Sequence, residues 1–147
     1  MVERRSSPLD RAITLAVAAH EGQVDKGGTP YILHPLRVML RQTEIAHRIV
    51  AVLHDVVEDS DVTLDTIRAD HGDTIAEAID ALTKREGESY DDFIRRCAMN
   101  VIARDVKRTD IEDNLDLSRL STISDHDQER AHKYRRALAL LNDAGQP

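Results

Sequence analysis

The stretch IAHRIVAVLHDVVED, residues 45–59, decides how the rest of the chain is read. Ile45, Ile49, Val52, Leu53, Val56 and Val57 recur at three- and four-residue steps. That spacing predicts one amphipathic helix with a single apolar stripe. At about 100° per residue, His54, Asp55, Glu58 and Asp59 gather on the opposite face, with His54 above Glu58 and Asp55 above Asp59. No Lys or Arg occurs between Arg48 and Arg68, while Asp55, Glu58, Asp59, Asp61 and Asp65 all do. Two readings are open for this arc. One is a solvated face; the other is a cation site. Solvated faces mix signs, and carboxylates near a helix C-terminus meet the negative end of the dipole, so a bound cation would relieve both penalties. An adjacent imidazole and carboxylate are ordinary starting ligands for a divalent ion.

The same helical periodicity extends outward in both directions. A helix carrying Ile13 and Val17 is expected from Leu9 to near His20, followed by a loop over 21–30 that holds Gly22, Gly27, Gly28 and Pro30. A second helix should start near Pro35, which suits a first turn. Downstream, Thr63 is expected to cap a short helix closed by Gly72, and Asp73 to cap the next. After a polar break over 85–89, Phe93, Cys97, Val101 and Ile102 mark a further helix; 106–117 also reads as helical, either as its continuation or as a separate helix. A last helix is expected over about 124–143, with loose ends at 1–7 and 144–147. No segment alternates with period two, so the expected fold class is all-α, a compact multi-helix bundle.

Composition sets the outer limits. The 147 residues carry 20 Lys+Arg against 27 Asp+Glu, a formal charge of −7. One domain over 1–147 is expected at that length. The acidic balance argues against a nucleic-acid partner bound by phosphate neutralisation. No apolar run approaches a membrane span or a secretory signal, and Cys97, the only cysteine, permits no internal disulfide. A cytoplasmic domain is the expectation. With aromatics at 3%, a site built on extensive stacking is not expected.

Taken together, His20-Glu-Gly-Gln (20–23), Gly28-Thr-Pro-Tyr-Ile-Leu-His-Pro (28–35), Val52-Leu-His-Asp-Val-Val-Glu-Asp-Ser (52–60), Leu82-Thr-Lys (82–84) and Val106-Lys-Arg-Thr-Asp-Ile-Glu-Asp-Asn (106–114) form an ordered pattern. The pattern resembles the HD-domain hydrolases of the RelA/SpoT homologue family, most of all their stand-alone small alarmone hydrolases, over residues 10–120. The resemblance implies an HD-domain bundle in which the hydrolase unit stands alone. It implies one divalent ion, usually Mn²⁺, on His34, His54, Asp55 and Asp110. It also implies catalytic acids at Glu58 and Asp59, and substrate contacts at Lys26 and Asn114, with Tyr31 facing either pocket or core. The implied reaction is hydrolysis of the 3′-diphosphate of a nucleotide such as ppGpp, pppGpp or pppApp, releasing pyrophosphate. The implied partner is a small nucleotide, with self-association left open.

Two positions depart from the family. Asp25 stands where an arginine packs on the nucleobase, which puts guanine selectivity in question and places a carboxylate at the substrate loop. Asp113 stands where long members carry histidine. A nucleotidase acting on another 3′-phosphorylated compound and a non-catalytic nucleotide sensor are the competing readings. His20 is expected to hydrogen-bond the loop beneath the site, Cys97 to fill core, and His47, His71, His126 and His132 to lie at the surface. Arg37, Lys84 and Lys107 are further cations that could offset substrate charge.

Overall fold

The computed structural model describes residues 4–144, which form nine α-helices and one 3₁₀ turn. They are α1 (Pro8–Ala19), α2 (Leu33–Leu40), α3 (Ile45–Leu53), α4 (Val56–Asp59), α5 (Leu64–His71), α6 (Asp73–Ala81), α7 (Tyr90–Ala98), α8 (Val101–Asn114) and α9 (Asp125–Ala144), with the 3₁₀ turn at Leu117–Arg119. Among the described residues there is no strand; one isolated bridge, Val24 to Pro30, pins the base of the loop after α1. The all-α expectation holds. Of the expected loose ends, residues 4–7 are non-helical, Ala144 closes α9, and 1–3 and 145–147 lie outside the described residues.

α3 is the axis of the bundle. Val50, Ala51, Val52 and Leu53 are all fully buried, because α1, α2, α6 and α8 pack around this helix. Four consecutive buried residues leave the second half of α3 no solvent face. The continuous amphipathic helix expected over 45–57 is therefore corrected twice. His54 is 1% exposed rather than on an outer face. The helix also ends at Leu53 and restarts at Val56. The cause is local: His54 Nδ1 lies 2.5 Å from the Ala51 carbonyl oxygen, which in an unbroken helix would accept from the Asp55 amide. The imidazole takes that acceptor, and the His54–Asp55 turn results.

Other boundaries follow from caps. Thr63 Oγ1 accepts from the Thr66 amide, and Gly72 ends α5 at φ 88°, a left-handed conformation that favours glycine. Asp73 is the first helical residue of α6 rather than its cap, since Gly72 already occupies that position. α7 and α8 are separate: Asn100 Oδ1 accepts from the Ala103 amide and starts a new helix, so Val101 and Ile102 belong to α8, which stops at Asn114. Pro35 sits in the first turn of α2, two residues after its start. Ser124 and Asp127 exchange hydrogen bonds at the head of α9. That helix packs on α7 and α8 and closes the fold above the loop after α1.

The loop between α6 and α7 is tied down by one side chain. Arg96 pairs with Glu88 at 2.8 Å and donates to the carbonyls of Asp80, Ala81 and Thr83. Asp80 and Ala81 close α6, where intrahelical donors run out, and Thr83 lies just beyond its end. An Arg96→Ala protein should lose these bonds together and melt about 5 °C lower. Thermal unfolding followed by circular dichroism checks this, and an unchanged midpoint would show that Arg96 is dispensable. Cys97 is buried beside this clamp, as expected, with its Sγ against the Ala81 carbonyl. His126 and His132 are exposed, while His47 and His71 are half-buried. His47 sits between Glu44 and Asp105.

Candidate metal centre

Three helices deliver the site. The start of α2 supplies His34, the end of α3 supplies His54 and the turn supplies Asp55. The last turns of α8 supply Lys107, Asp110, Asp113 and Asn114. His34 Nε2 lies 2.8 Å and His54 Nε2 lies 3.4 Å from the same Asp110 oxygen. One ligand atom from each of these three residues falls within 4.8 Å of the other two, and all three residues are buried. Asp55 stands beside the trio, its Oδ2 3.0 Å from His54 Nε2, and it accepts a hydrogen bond from the Tyr31 hydroxyl.

The outer nitrogens decide which way the rings face. The Ala51 carbonyl can only accept, so His54 Nδ1 carries the proton and its Nε2 lone pair points into the cluster. Among the described residues, that buried Nε2 makes no well-formed hydrogen bond. His34 Nδ1 donates to Asp113 Oδ2 at 2.6 Å, which leaves its Nε2 toward Asp110. Two imidazole nitrogens and carboxylate oxygens converging in a buried place are a donor set that fits a divalent ion. Burial alone would push His54 and His34 down, yet the surrounding carboxylates raise both, His54 strongly. Asp55 and Asp110 are driven in the other sense. Burial would raise them, but His54 for Asp55, and Lys107 with His54 for Asp110, hold both below the usual carboxylate range.

Asp113 now has a physical account. Besides His34, its carboxylate takes two bonds from Arg37, at 2.8 and 2.9 Å, and its own pKa is lowered despite the burial that would raise it. It fixes the His34 ring from behind, as outer partners of metal-binding histidines do. An Asp113→Ala protein is expected to bind a divalent ion about 10- to 100-fold more weakly. Titration calorimetry with Mn²⁺ reads this, and an unchanged affinity would remove Asp113 from the site.

Lys107 is the second buried support. Its Nζ lies 2.9 Å from Asp110 Oδ2 and 5.0 Å above the Phe93 ring. Lys107 and Arg37 are therefore committed to carboxylates rather than standing free. Glu58 and Asp59 lie exposed, one turn past Asp55. Glu58 Oε1 accepts from the Lys84 amide, and restricted solvent raises the pKa of both acids, with Asp55 adding to it. Asn114 donates to Asp110 at 3.2 Å.

A cavity of about 270 Å³ opens beside the cluster, with Tyr31 and Asn114 in its wall. Val24, Asp25, Lys26 and Gly27 form one side; Asp116, Leu117, Arg119 and Leu120 form another; Asp127, Arg130, Ala131 and Tyr134 of α9 form the roof. Lys26 reaches Asp127 at 3.6 Å across the mouth. Asp25 borders the cavity, but its Oδ1 accepts from the Gly27 and Thr29 amides and organises its own loop. Arg119, Arg130 and Tyr134 escaped the sequence reading. Arg130 and Tyr134 are four apart on α9 and bonded at 2.8 Å, a spacing that was visible but carried no motif.

An all-α bundle whose central helix ends in a buried His-Asp turn, facing a second histidine and a distant aspartate, defines a helical metal-site domain. A family model described as HD domain matches residues 12–144, and the chain belongs to the HD-domain family. The guanosine-3′,5′-bis(diphosphate) 3′-pyrophosphohydrolase of Vibrio cholerae is 34% identical over 96 residues, covering 63% of this chain and 14% of that protein. The protein of the same name from Aquifex aeolicus is 36% identical over 85 residues, covering 55% and 12%. The bifunctional (p)ppGpp synthase/hydrolase SpoT of Escherichia coli is 33% identical over 88 residues, covering 57% and 12%. The chain thus spans 12–14% of the length of these relatives. A solved structure of a metazoan ortholog of SpoT, described as hydrolysing ppGpp, shares the fold. Its TM-score is 0.73 at 24% identity, over 97% of this chain and 88% of that one. Among the described residues no helix is long and apolar enough to cross a membrane.

Proposed function

We propose that this domain hydrolyses the 3′-diphosphate of an alarmone nucleotide and releases pyrophosphate. The observation that carries the reading is the convergence of His34, His54 and Asp110 beside a cavity lined by both cations and apolar side chains. His34, His54 and Asp110, with Asp55 alongside, would hold one divalent ion, for which we favour Mn²⁺. When bound, such an ion polarises a phosphoryl oxygen and acidifies water. The protein groups do the rest. Glu58 keeps one oxygen on the Lys84 amide and leaves the other to accept a proton from the attacking water. Asp59, a residue further on, supports the same role. The water oxygen bonds to phosphorus as the bond to the 3′-oxygen breaks; solvent protonates the departing 3′-oxygen and Glu58 returns its proton to solvent, leaving a 3′-hydroxyl nucleotide and pyrophosphate.

Lys26, Arg119 and Arg130 offset phosphate charge in a protein that is otherwise acidic. Tyr31 and Asn114 lie where cavity and cluster meet, and Val24, Leu117, Leu120 and Tyr134 offer apolar surface to a base. Asp25 acts by shaping its loop, so base choice falls to the segment 116–120 and α9. A free nucleotide rather than nucleic acid fits so small a chamber, and a cytoplasmic setting fits such a substrate.

The test is a Mn²⁺-supplemented screen of ppGpp, pppGpp and pppApp scored for pyrophosphate. Pyrophosphate release that chelation abolishes is the expected result. Orthophosphate alone would favour a nucleotidase, and tight binding without turnover would favour a sensor.

A further inference from the structure

One arginine touches both the cavity and the support of the metal cluster. Arg119 closes the 3₁₀ turn Leu117–Arg119 that follows α8, and it lines the cavity. Its guanidinium also reaches back to the end of that helix. Nη2 donates to the Asp113 carbonyl oxygen at 3.0 Å and lies 3.6 Å from Asp113 Oδ2, while Nη1 lies 3.2 Å from Asp116 Oδ2. The turn itself is held on two sides. Asp116 Oδ1 accepts from the Ser118 amide. A Cβ placed on Gly27 would come within 3.2 Å of the Arg119 carbonyl oxygen, so the loop after α1 backs the turn closely.

The residue that Arg119 grips is the junction between α8 and α2. Asp113 Oδ2 takes the His34 Nδ1 proton at 2.6 Å, and its two oxygens take the Arg37 fork at 2.8 and 2.9 Å. His34 and Arg37 both belong to α2, so these bonds align the Asp113 carboxylate with α2 alone. Asp113 stands three residues after Asp110, near the end of α8, where main-chain carbonyls run out of intrahelical donors. A guanidinium there supplies a donor and meets the negative end of the helix dipole. Two clamps therefore meet on one residue. Arg37 joins its carboxylate to α2, and Arg119 joins its main chain to the turn that ends α8.

We propose that Arg119 is a positioning residue for the metal centre: by holding Asp113 it fixes the end of α8 against α2, and with it the spacing between Asp110 and His34. This task is separate from offsetting phosphate charge and needs no nucleotide. It rests on the divalent-ion site proposed above and not on the hydrolysis. The direction of the effect distinguishes it from simple charge. Removing a cation from beside a cation site lowers repulsion, so charge alone predicts tighter metal binding in Arg119→Met. Loss of positioning predicts weaker binding.

The experiment is titration calorimetry of the full chain with Mn²⁺ alone. Arg119→Met is expected to bind about 3- to 10-fold more weakly than the parent, a smaller loss than in Asp113→Ala because Arg119 acts one contact further out. A purely structural role would lower the melting temperature and leave the affinity of the folded protein unchanged. In the Asp113→Ala background the link between α8 and α2 is already cut, so adding Arg119→Met should cost less than about twofold. Unchanged or tighter binding in Arg119→Met overturns the proposal, and so does an undiminished effect in the Asp113→Ala background. If the parent itself takes up no Mn²⁺, the ion site fails and the proposal fails with it. A parent that binds while Arg119→Met binds equally well defeats the proposal alone and leaves the ion site standing.

Discussion

An Asp110→Ala protein is expected to lose its divalent ion and several kcal/mol of stability together. Asp110 serves two masters. One oxygen faces His34 Nε2 at 2.8 Å and His54 Nε2 at 3.4 Å, while the other takes the Lys107 ammonium at 2.9 Å. Burial alone would push Lys107 toward its neutral form, but Asp110 more than offsets that and raises its pKa. Removing the carboxylate strands a buried ammonium, which costs about 3–5 kcal/mol. It also removes the oxygen between two imidazoles that the proposed ion site would use. The two losses can be separated. Adding Lys107→Met to Asp110→Ala removes the stranded charge, so stability should return while metal affinity should not. Chemical denaturation and Mn²⁺ calorimetry on both proteins make the measurement. Parent-like affinity in Asp110→Ala, or no loss of stability, would sink this account of the centre.

The second large effect is kinetic. Glu58→Gln should lower kcat by about 10²- to 10⁴-fold while leaving Mn²⁺ affinity and melting temperature near those of the parent. Gln retains an oxygen for the Lys84 amide, so the loop after α6 stays anchored. It cannot take a proton from water. The comparison with Asp110→Ala is informative because one variant loses chemistry with the ion still held, and the other loses the ion. If Glu58→Gln turned over substrate within twofold of the parent, Glu58 would be only an anchor for the Lys84 amide, and Asp59 would be left as the proton acceptor.

Much of the fold was legible because its signals are local. Three- and four-residue apolar spacing marked the helices, and Thr63, Gly72 and Pro35 punctuated them through chemistry confined to one turn. Of the site, helix spacing pointed to His54 and Asp55, and the family resemblance added His34 and Asp110; the fold brings all four together from α2, the end of α3 and α8. Helix spacing misjudged the setting of His54. Periodicity placed it opposite the apolar stripe, away from the core, since a helix wheel sees one helix and cannot know that α1, α2, α6 and α8 surround it.

The sequence alone therefore determined the class of fold and singled out the His54–Asp55 pair, since both depend on patterns within a few turns of chain, while His34 and Asp110 were marked only by the family resemblance. The tertiary structure decided what those residues do. The break at His54 depends on an imidazole capturing the Ala51 carbonyl. The orientation of His34 depends on Asp113, 79 positions away, and the commitment of Lys107 depends on burial against Phe93. The roof of the cavity comes from Arg130 and Tyr134 on α9. Contacts of that separation are settled by which helices pack together, and packing is a property of the whole apolar core rather than of any one segment.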